Sequence, residues 1–367
     1  MKNKRPGIIF LIVVFALLIL GITMVYSSSY PYAIKFAERF KNDPNYFGKR
    51  QLIFCLIGIV AMFLAYITPI KVYKKMGWAT YFGSVALCVL AFTLFKSKSI
   101  NEVNRWISVG GFTIQPSDFL KLGVALYLPA ILCRKKMPYR PVIVAGLLGL
   151  SAFVVYKQQD LGTVIVIAGV IMILYFLTHM SFSEAILYFV GGSVFLYMSI
   201  AGTEYRKNRW YAFLDPFSDK LNTGWHAIQS MYAVANGGFG GVGIGASIQK
   251  HGYVYAAYSD YIFSILSEEL GMFGGMMVII AILFIAITPL RFVGKLDDEY
   301  SRLVLIAFSL FVIIQSFIHI AVVLNAIPAK GITLPFISYG GSSILTYCTF
   351  VGVAFNIMRK GKLKEQK

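Results

Sequence analysis

The chain has 367 residues, of which 58% are hydrophobic and only 14% are charged, and its formal net charge is +18. Its mean hydropathy of +0.71 is far higher than the polar surface of a soluble domain of this length allows. The composition therefore excludes an ordinary soluble domain. It predicts an all-α polytopic membrane protein, with residues 1–367 forming one membrane domain.

Apolar runs of spanning length predict about ten transmembrane helices. They cover approximately residues 7–27, 50–69, 76–95, 116–133, 141–156, 161–178, 184–201, 260–288, 303–324 and 341–358. The first run is too long for a signal-peptide core, and no clear small-residue cleavage site follows it, so we interpret it as a span. An even number of spans places both termini on one side of the membrane.

Basic residues predict which side that is. The segments next to the termini and between alternate spans are short and densely basic, as in the tail at 359–367, and this pattern indicates cytoplasmic loops. A long loop over about 202–260, between spans seven and eight, is then extracytoplasmic. Basic residues near the outer span ends have two readings, ordinary loop solvation or an anionic partner at the outer membrane surface. Examples are Arg50, Arg105, Arg206 and Arg209.

Two features that could suggest a ligand are weak. The four cysteines and four histidines are scattered along the chain, which argues against disulfides or a metal cluster. The glycine-rich stretch NGGFGGVGIG, residues 236–245, lacks the GK[ST] ending of a phosphate-binding loop. We interpret it as a flexible or re-entrant loop in which backbones pack closely.

Two acidic residues open predicted spans. Asp118, in QPSDFLK, lies three residues before Lys121, so the two share a helix face and are expected to pair within the bilayer. That pair is either functional or purely structural. Asp160, in QQDLGTV, is either a helix N-cap or a site residue.

Asp260 is the strongest candidate for chemistry. It lies where the long loop meets the eighth span, among aromatic residues typical of a membrane interface. A carboxylate in such a half-dry setting has a raised proton affinity, which suits a general base, although an N-cap is the alternative. Glu268 and Glu269 lie two turns or more deeper and are expected to pair with buried donors.

The last loop predicts a cavity open to the outer leaflet. Residues 327–343, IPAKGITLPFISYGGSS, combine prolines and glycines into irregular backbone at membrane depth. Such backbone is tolerated only where protein buries it or where it lines a cavity. Arg206 and Arg209 have the fork geometry that suits phosphate. The residues alone leave two functions open, a transferase acting on a lipid-linked anion or a transporter of one.

Several long motifs occur in an order and spacing that resemble one known family. They are NRWISVGGFTIQPSDFLKL, QQDLGTV, YRKNRWYAFLDPFSDKLNTGWHAIQS, GVGIGASIQKHGYVYAAYSDYIFSILSEELG and KGITLPFISYGGSS. The family is SEDS, for shape, elongation, division and sporulation, and the likeness extends over nearly the whole chain. It is closer to the FtsW-like division and sporulation branch than to the RodA-like elongation branch. Asp118 replaces the usual glutamate, Gln159 a proline and His226 a glutamine.

The resemblance implies a peptidoglycan glycosyltransferase of the bacterial cytoplasmic membrane that polymerises lipid II. Asp260 matches the family's catalytic aspartate. It would deprotonate the acceptor's GlcNAc 4-hydroxyl, which attacks MurNAc C1 with inversion and releases undecaprenyl pyrophosphate. We predict that the following residues bind substrate: Arg50, Arg105, Trp106, Asp118, Lys121, Asp160, Arg206, Arg209, Ser338 and Ser342.

Two other functions compete with this hypothesis. One is a lipid II flippase, and the other is a non-catalytic scaffold for a class B penicillin-binding protein. The expected partners are lipid II, membrane lipids and that penicillin-binding protein, with no nucleic acid. The residues specify no cofactor and no metal ligands, and they leave open the participation of a divalent cation.

Overall fold

The computed structural model describes residues 5–40, 42–93, 105–109, 112–134 and 137–360. Because a bilayer offers no water to backbone groups, long apolar segments satisfy their hydrogen bonds internally as helices. The α-helices are α1 (Arg5–Lys35), α2 (Tyr46–Ile67), α3 (Ile70–Thr93), α4 (Pro116–Leu132), α5 (Arg140–Lys157), α6 (Leu161–Thr178), α7 (Phe182–Ala201), α8 (Glu204–Leu214), α9 (Trp225–Gly237), α10 (Ile262–Val293), α11 (Glu299–Val323) and α12 (Gly341–Lys360). A 3₁₀ turn covers Ala37–Phe40, and a small antiparallel hairpin pairs β1 (Ile107–Val109) with β2 (Phe112–Ile114).

The predicted polytopic all-α fold is confirmed. Each of the ten predicted spans corresponds to a helix, and nine helices of the described chain are long and apolar enough to cross a membrane. The tenth, α4, has 17 residues and carries Asp118 and Lys121. The long loop is more regular than expected, since residues 202–260 contain both α8 and α9.

The middle of the bundle is formed by α4, α11 and α12, whose residues are buried on most sides. At the other extreme, only Ser199 of α7 is buried, so this helix presents its apolar side chains to lipid. The described segments 36–40, 42–45, 105–109, 112–115, 158–160, 202–261 and 324–340 lie between helices at one end of the bundle. We call this the site end, because the candidate residues gather there.

A kink divides α10. Gly271 has φ +69° and ψ −171°, values that a helix cannot accommodate and that favour glycine. The kink admits the glycine-rich stretch, where Val242 N donates to Glu268 O at 3.0 Å and Met272 N donates to Gly238 O at 2.9 Å. A Cβ on Gly271 would lie 2.3 Å from Gly241 N. The stretch is thus, as predicted, a place where backbones pack closely.

The short helical segment before the kink carries two buried glutamates that hold the loop leading to Asp260. Glu268 accepts a hydrogen bond from Ser247 Oγ and further bonds from the backbone N–H groups of residues 248 and 249, at 3.2 and 3.3 Å. Glu269 accepts from Lys250 Nζ at 2.8 Å and Ser27 Oγ at 2.6 Å. Both glutamates therefore pair with buried donors, as predicted.

Candidate active site

The turn before α10 sets the position of Asp260. Tyr339 N donates to Tyr258 O at 2.9 Å, and Ser338 Oγ donates to Ser259 O at 2.7 Å, so the last loop and this turn are fastened together. The N-cap of α10 is Tyr261, and no side chain bonds to the helix end there. Asp260 is therefore not a helix cap, and the alternative reading of this residue was wrong.

The Asp260 carboxylate is half-buried and accepts no hydrogen bond from the residues that the structure describes. Burial raises its pKa to about 6, although the positive charges of Arg105 and Arg209 oppose the increase. Gly331 lies against it, since a Cβ there would be 3.0 Å from Asp260 Oδ2. The carboxylate is thus free to bond a ligand and holds its proton more tightly than an ordinary aspartate does.

Two cavities reach Asp260. The first, which we call the carboxylate cavity, has a volume of about 470 Å³. Its walls include Arg39, Phe47, Arg105, Trp106, Asp118, Lys121, Tyr258, Asp260, Gly331 and Tyr339. It combines buried charges at its base with aromatic rings above, as expected of a site for an amphipathic ligand.

The second, the amide cavity, has a volume of about 390 Å³ and lies beneath α8 and α9. Its walls include Tyr205, Asn208, Arg209, Asn222, Thr223, His226, Tyr255, Asp260, Asn325, Lys330 and Gly331. Neutral amide and hydroxyl groups predominate there, and such groups both donate and accept hydrogen bonds, as the hydroxyls of a sugar require.

A third cavity of about 350 Å³, the arginine cavity, also borders Gly331 but does not include Asp260. Its polar wall holds Arg105, Asp160, Arg206, Arg209 and Lys330. Its apolar wall is formed by Ile165, Leu196, Ile200, Phe317, Ile318 and Ile327. Cations on one side and aliphatic side chains on the other suit a lipid with an anionic headgroup.

The cations of this cavity are held in place by neutral acceptors. Arg206 donates to the Tyr156 hydroxyl at 3.0 Å and to Ser199 O at 2.8 Å, and Arg209 donates to Ala329 O at 3.0 Å. Burial, together with Arg209 and Arg206, lowers the pKa of Lys330 to about 8. Because no carboxylate pairs with these groups in the described residues, their charge is available to an anion.

A buried polar network underlies the carboxylate cavity. Lys121 Nζ lies 2.8 Å from both Asp118 Oδ1 and Gln315 Oε1, so the predicted Asp118–Lys121 pair is present. Ser342 Oγ donates to Asp118 Oδ2 at 2.8 Å. Asp160 caps α6, with Thr163 N donating to its Oδ1 at 3.1 Å. The hydrogen-bonded Asp118–Lys121 pair stabilises the base of the cavity. Removing either partner would leave the other as an unpaired buried charge.

The structure does not bring every predicted substrate-binding residue to a cavity wall. Arg50 stacks over the Tyr46 ring at 4.5 Å, whereas Ser338 and Ser342 are occupied with the hydrogen bonds given above. Conversely, the sequence-based prediction omitted Arg39, Lys330 and Gly331. Only Lys330 and Gly331 carried a signal, because they lie within the KGITLPF motif.

No group of three or more His, Cys, Asp or Glu side chains in the described residues is arranged to hold a metal ion. The polar groups of the site are instead cations and hydrogen-bonding side chains around Asp260, with Asp118 and Asp160 held in hydrogen bonds of their own.

The fold and the site together define a polytopic membrane protein with cavities at one end of its helical bundle, whose walls combine cations with apolar side chains. Residues 8–363 match the family model of the FtsW, RodA and SpoVE cell cycle proteins, so the chain belongs to that family. The resemblance seen in the motifs is thereby confirmed.

Relatives and solved structures agree with this family. Stage V sporulation protein E of Bacillus subtilis is 35% identical, over 98% of each chain. The probable peptidoglycan glycosyltransferase FtsW of Trichlorobacter lovleyi is 33% identical, over 97% of this chain and 94% of its own. A chain of a peptidoglycan synthase complex shares the fold with a TM-score of 0.77 at 21% identity, covering 96% of this chain and 97% of that one. RodA of Thermus thermophilus shares it with a TM-score of 0.70 at 19% identity, covering 96% of each chain.

Proposed function

We propose that the protein is a peptidoglycan glycosyltransferase that polymerises lipid II on the outer face of the bacterial cytoplasmic membrane, with both termini in the cytoplasm. The observation that carries this proposal is the pairing of an unbonded carboxylate, Asp260, with an adjoining cavity that has a cationic and an apolar wall. The names of the relatives support the same reaction class.

In this mechanism Asp260 is the general base. The acceptor's GlcNAc 4-hydroxyl donates its proton to the carboxylate as the oxygen attacks MurNAc C1 of the donor. The new bond joins O4 to C1, and the bond between C1 and the pyrophosphate oxygen breaks with inversion. The proton then passes from Asp260 to water. A raised pKa suits this role, because a base close to neutrality both accepts and releases the proton readily.

The leaving group is undecaprenyl pyrophosphate, which we place in the arginine cavity. Arg206, Arg209 and Lys330 would stabilise the charge that develops on its oxygens, and the aliphatic wall would receive the start of the lipid chain. Inversion requires the attacking and leaving oxygens to lie on opposite faces of C1. We therefore place C1 beside Gly331, which borders both cavities, with Asp260 facing the attacking oxygen and the arginine cavity receiving the leaving oxygen.

Purified protein supplied with lipid II tests the proposal. The wild type should form glycan polymer, and Asp260→Ala should form none while remaining folded. Full polymerisation by the variant would remove Asp260 as the base. Movement of lipid II across a vesicle membrane with no polymer would favour a flippase instead.

We further propose that a class B penicillin-binding protein is a partner, since a related fold occurs in a peptidoglycan synthase complex. The same assay with and without that protein tests this. Polymer that forms only when both are present, and that disappears with Asp260→Ala, would show activation by the partner and exclude a scaffold that merely recruits it.

A further inference from the structure

Two lipid-linked molecules meet in the proposed reaction, and each carries a pyrophosphate. The arginine cavity can serve only one of them, the donor, whose pyrophosphate leaves. A second anion must be accommodated elsewhere while the 4-hydroxyl of its disaccharide reaches Asp260. The acceptor position therefore requires a cation on the wall of a cavity that includes Asp260, and that cation must not already serve the donor.

The amide cavity lacks such a cation. Its two positive side chains, Arg209 and Lys330, also line the arginine cavity. Its remaining polar groups are neutral, apart from Asp260 and the titratable His226. Burial and the nearby Arg209 lower the pKa of His226, which disfavours its charged form. This cavity could hold sugar, but it has no independent counter-charge for a second pyrophosphate.

The carboxylate cavity does have one. Of its cations, Arg105 is shared with the arginine cavity and Lys121 is paired with Asp118. Arg39, on the 3₁₀ turn after α1, is exposed, is shared with neither of the other two cavities and forms no ion pair within the described part of the chain. It is therefore the unused cation of the site.

Aromatic side chains lie in the same cavity as Arg39 and Asp260. The ring centroids of Phe47 and Tyr258 are 4.5 Å apart, and Tyr339 packs edge-on against Phe47 at 5.2 Å. Trp106, which is 40% exposed, adds a further ring to the wall. Flat apolar faces flanked by polar groups suit the alternating apolar and hydroxyl surfaces of a sugar.

We propose that the carboxylate cavity is the acceptor subsite, with the acceptor's disaccharide beside the aromatic wall and its pyrophosphate bound by Arg39. The inference rests on the proposed glycosyltransferase function. It assigns the donor's leaving group and the acceptor to separate cavities that both border Gly331, and it leaves the amide cavity to the sugars of the donor.

A coupling assay with two blocked substrates tests this assignment. A lipid II with the GlcNAc 4-hydroxyl epimerised can act only as donor, because the attacking hydroxyl is misplaced. A lipid II in which a methylene replaces the oxygen between MurNAc C1 and the pyrophosphate can act only as acceptor, because its pyrophosphate cannot leave. Each pair yields a single glycosidic bond, so the KM of each substrate is measured separately. Arg39→Ala should raise the acceptor KM about tenfold, the effect of losing one charge-assisted bond to phosphate, and leave the donor KM unchanged.

Three variants make the result decisive. Lys35→Ala removes an exposed charge at the same end of α1, outside the carboxylate cavity, and should leave both KM values unchanged. Arg39→Lys should recover part of the loss. His226→Ala probes the amide cavity and should not raise the acceptor KM. An unchanged acceptor KM in Arg39→Ala, an equal rise for donor and acceptor, or an acceptor effect confined to His226→Ala would each overturn the assignment. Failure of the wild type to couple at all would instead overturn the proposed function.

Discussion

Three carboxylates lie within ten residues of one another, and the protein treats them in opposite ways. Glu268 and Glu269 are fully buried, and hydroxyl, backbone amide and ammonium groups donate to both oxygens of Glu268 and to Oε1 of Glu269. Asp260 is half-buried, faces two cavities and receives no hydrogen bond from the described residues. A buried carboxylate that is satisfied stabilises the fold, whereas one left unsatisfied beside a cavity is available for chemistry.

The difference also shows how the two regions cooperate. The glutamates hold residues 247–250, and the last loop donates hydrogen bonds to the carbonyl oxygens of residues 258 and 259. Asp260 is thus kept in position through its backbone, which leaves its carboxylate oxygens unoccupied. Glu268 and Glu269 are thus expected to stabilise the fold, whereas Asp260 is expected to take part in the reaction. Substitution by the corresponding amide tests each role, because it keeps the size of the side chain and removes its charge.

The largest effect is expected from Asp260→Asn. Polymerisation should fall roughly 10²- to 10⁴-fold, because an amide cannot accept the hydroxyl proton. The melting temperature should stay the same or rise. The pKa of Asp260 is raised in the folded protein, so its charged form is disfavoured there, and removing that charge does not weaken the fold at neutral pH. A large fall in melting temperature would place Asp260 with the structural carboxylates.

Glu268→Gln should show the reverse pattern. The Ser247 hydroxyl and two backbone N–H groups donate to the carboxylate of Glu268. The NH₂ group of a glutamine would face these donors and accept no bond from them, so the free energy of unfolding should fall by about 1–3 kcal/mol. Glu204→Gln is the matched control, since Glu204 forms an exposed ion pair whose loss should be almost without effect. Equal stability of the two variants would contradict the structural role of Glu268.

A smaller effect is expected from Gly331→Ala. The new methyl group would lie 3.0 Å from Asp260 Oδ2, close enough to displace the base, and polymerisation should fall roughly tenfold. Gly146→Ala, on α5 and outside the three cavities, is the control, because a Cβ there would meet no neighbouring segment within 4 Å. Equal activity of the two variants would show that Asp260 tolerates displacement and is not held for catalysis.

Residues close in sequence could be placed from the sequence itself. Helix periodicity alone puts Asp118 and Lys121 on one face, and the span boundary puts Asp160 at a helix end. The cavities could not be derived in this way. Arg39, Asp260 and Gly331 come from three distant segments, and only the packing of α1, α10 and the last loop brings them together.

The kink in α10 escaped prediction for a similar reason. Gly271 lies in an apolar run that by composition is an uninterrupted span. Its conformation is set by the close approach of Gly241, a contact between distant residues that hydropathy does not encode. The depth at which Glu268 and Glu269 find their donors depends on that same contact.

The pH dependence of kcat/KM for lipid II polymerisation tests most directly whether Asp260 acts as an unbonded base. The rate should rise about tenfold per pH unit up to the pKa of about 6 and level off above it, because only the ionised carboxylate accepts the proton. Arg105→Gln should move that limb to higher pH, since Arg105 lowers the pKa. A profile that is flat between about pH 5 and pH 7, or a limb that does not move in Arg105→Gln, would contradict the assignment of Asp260 as the base.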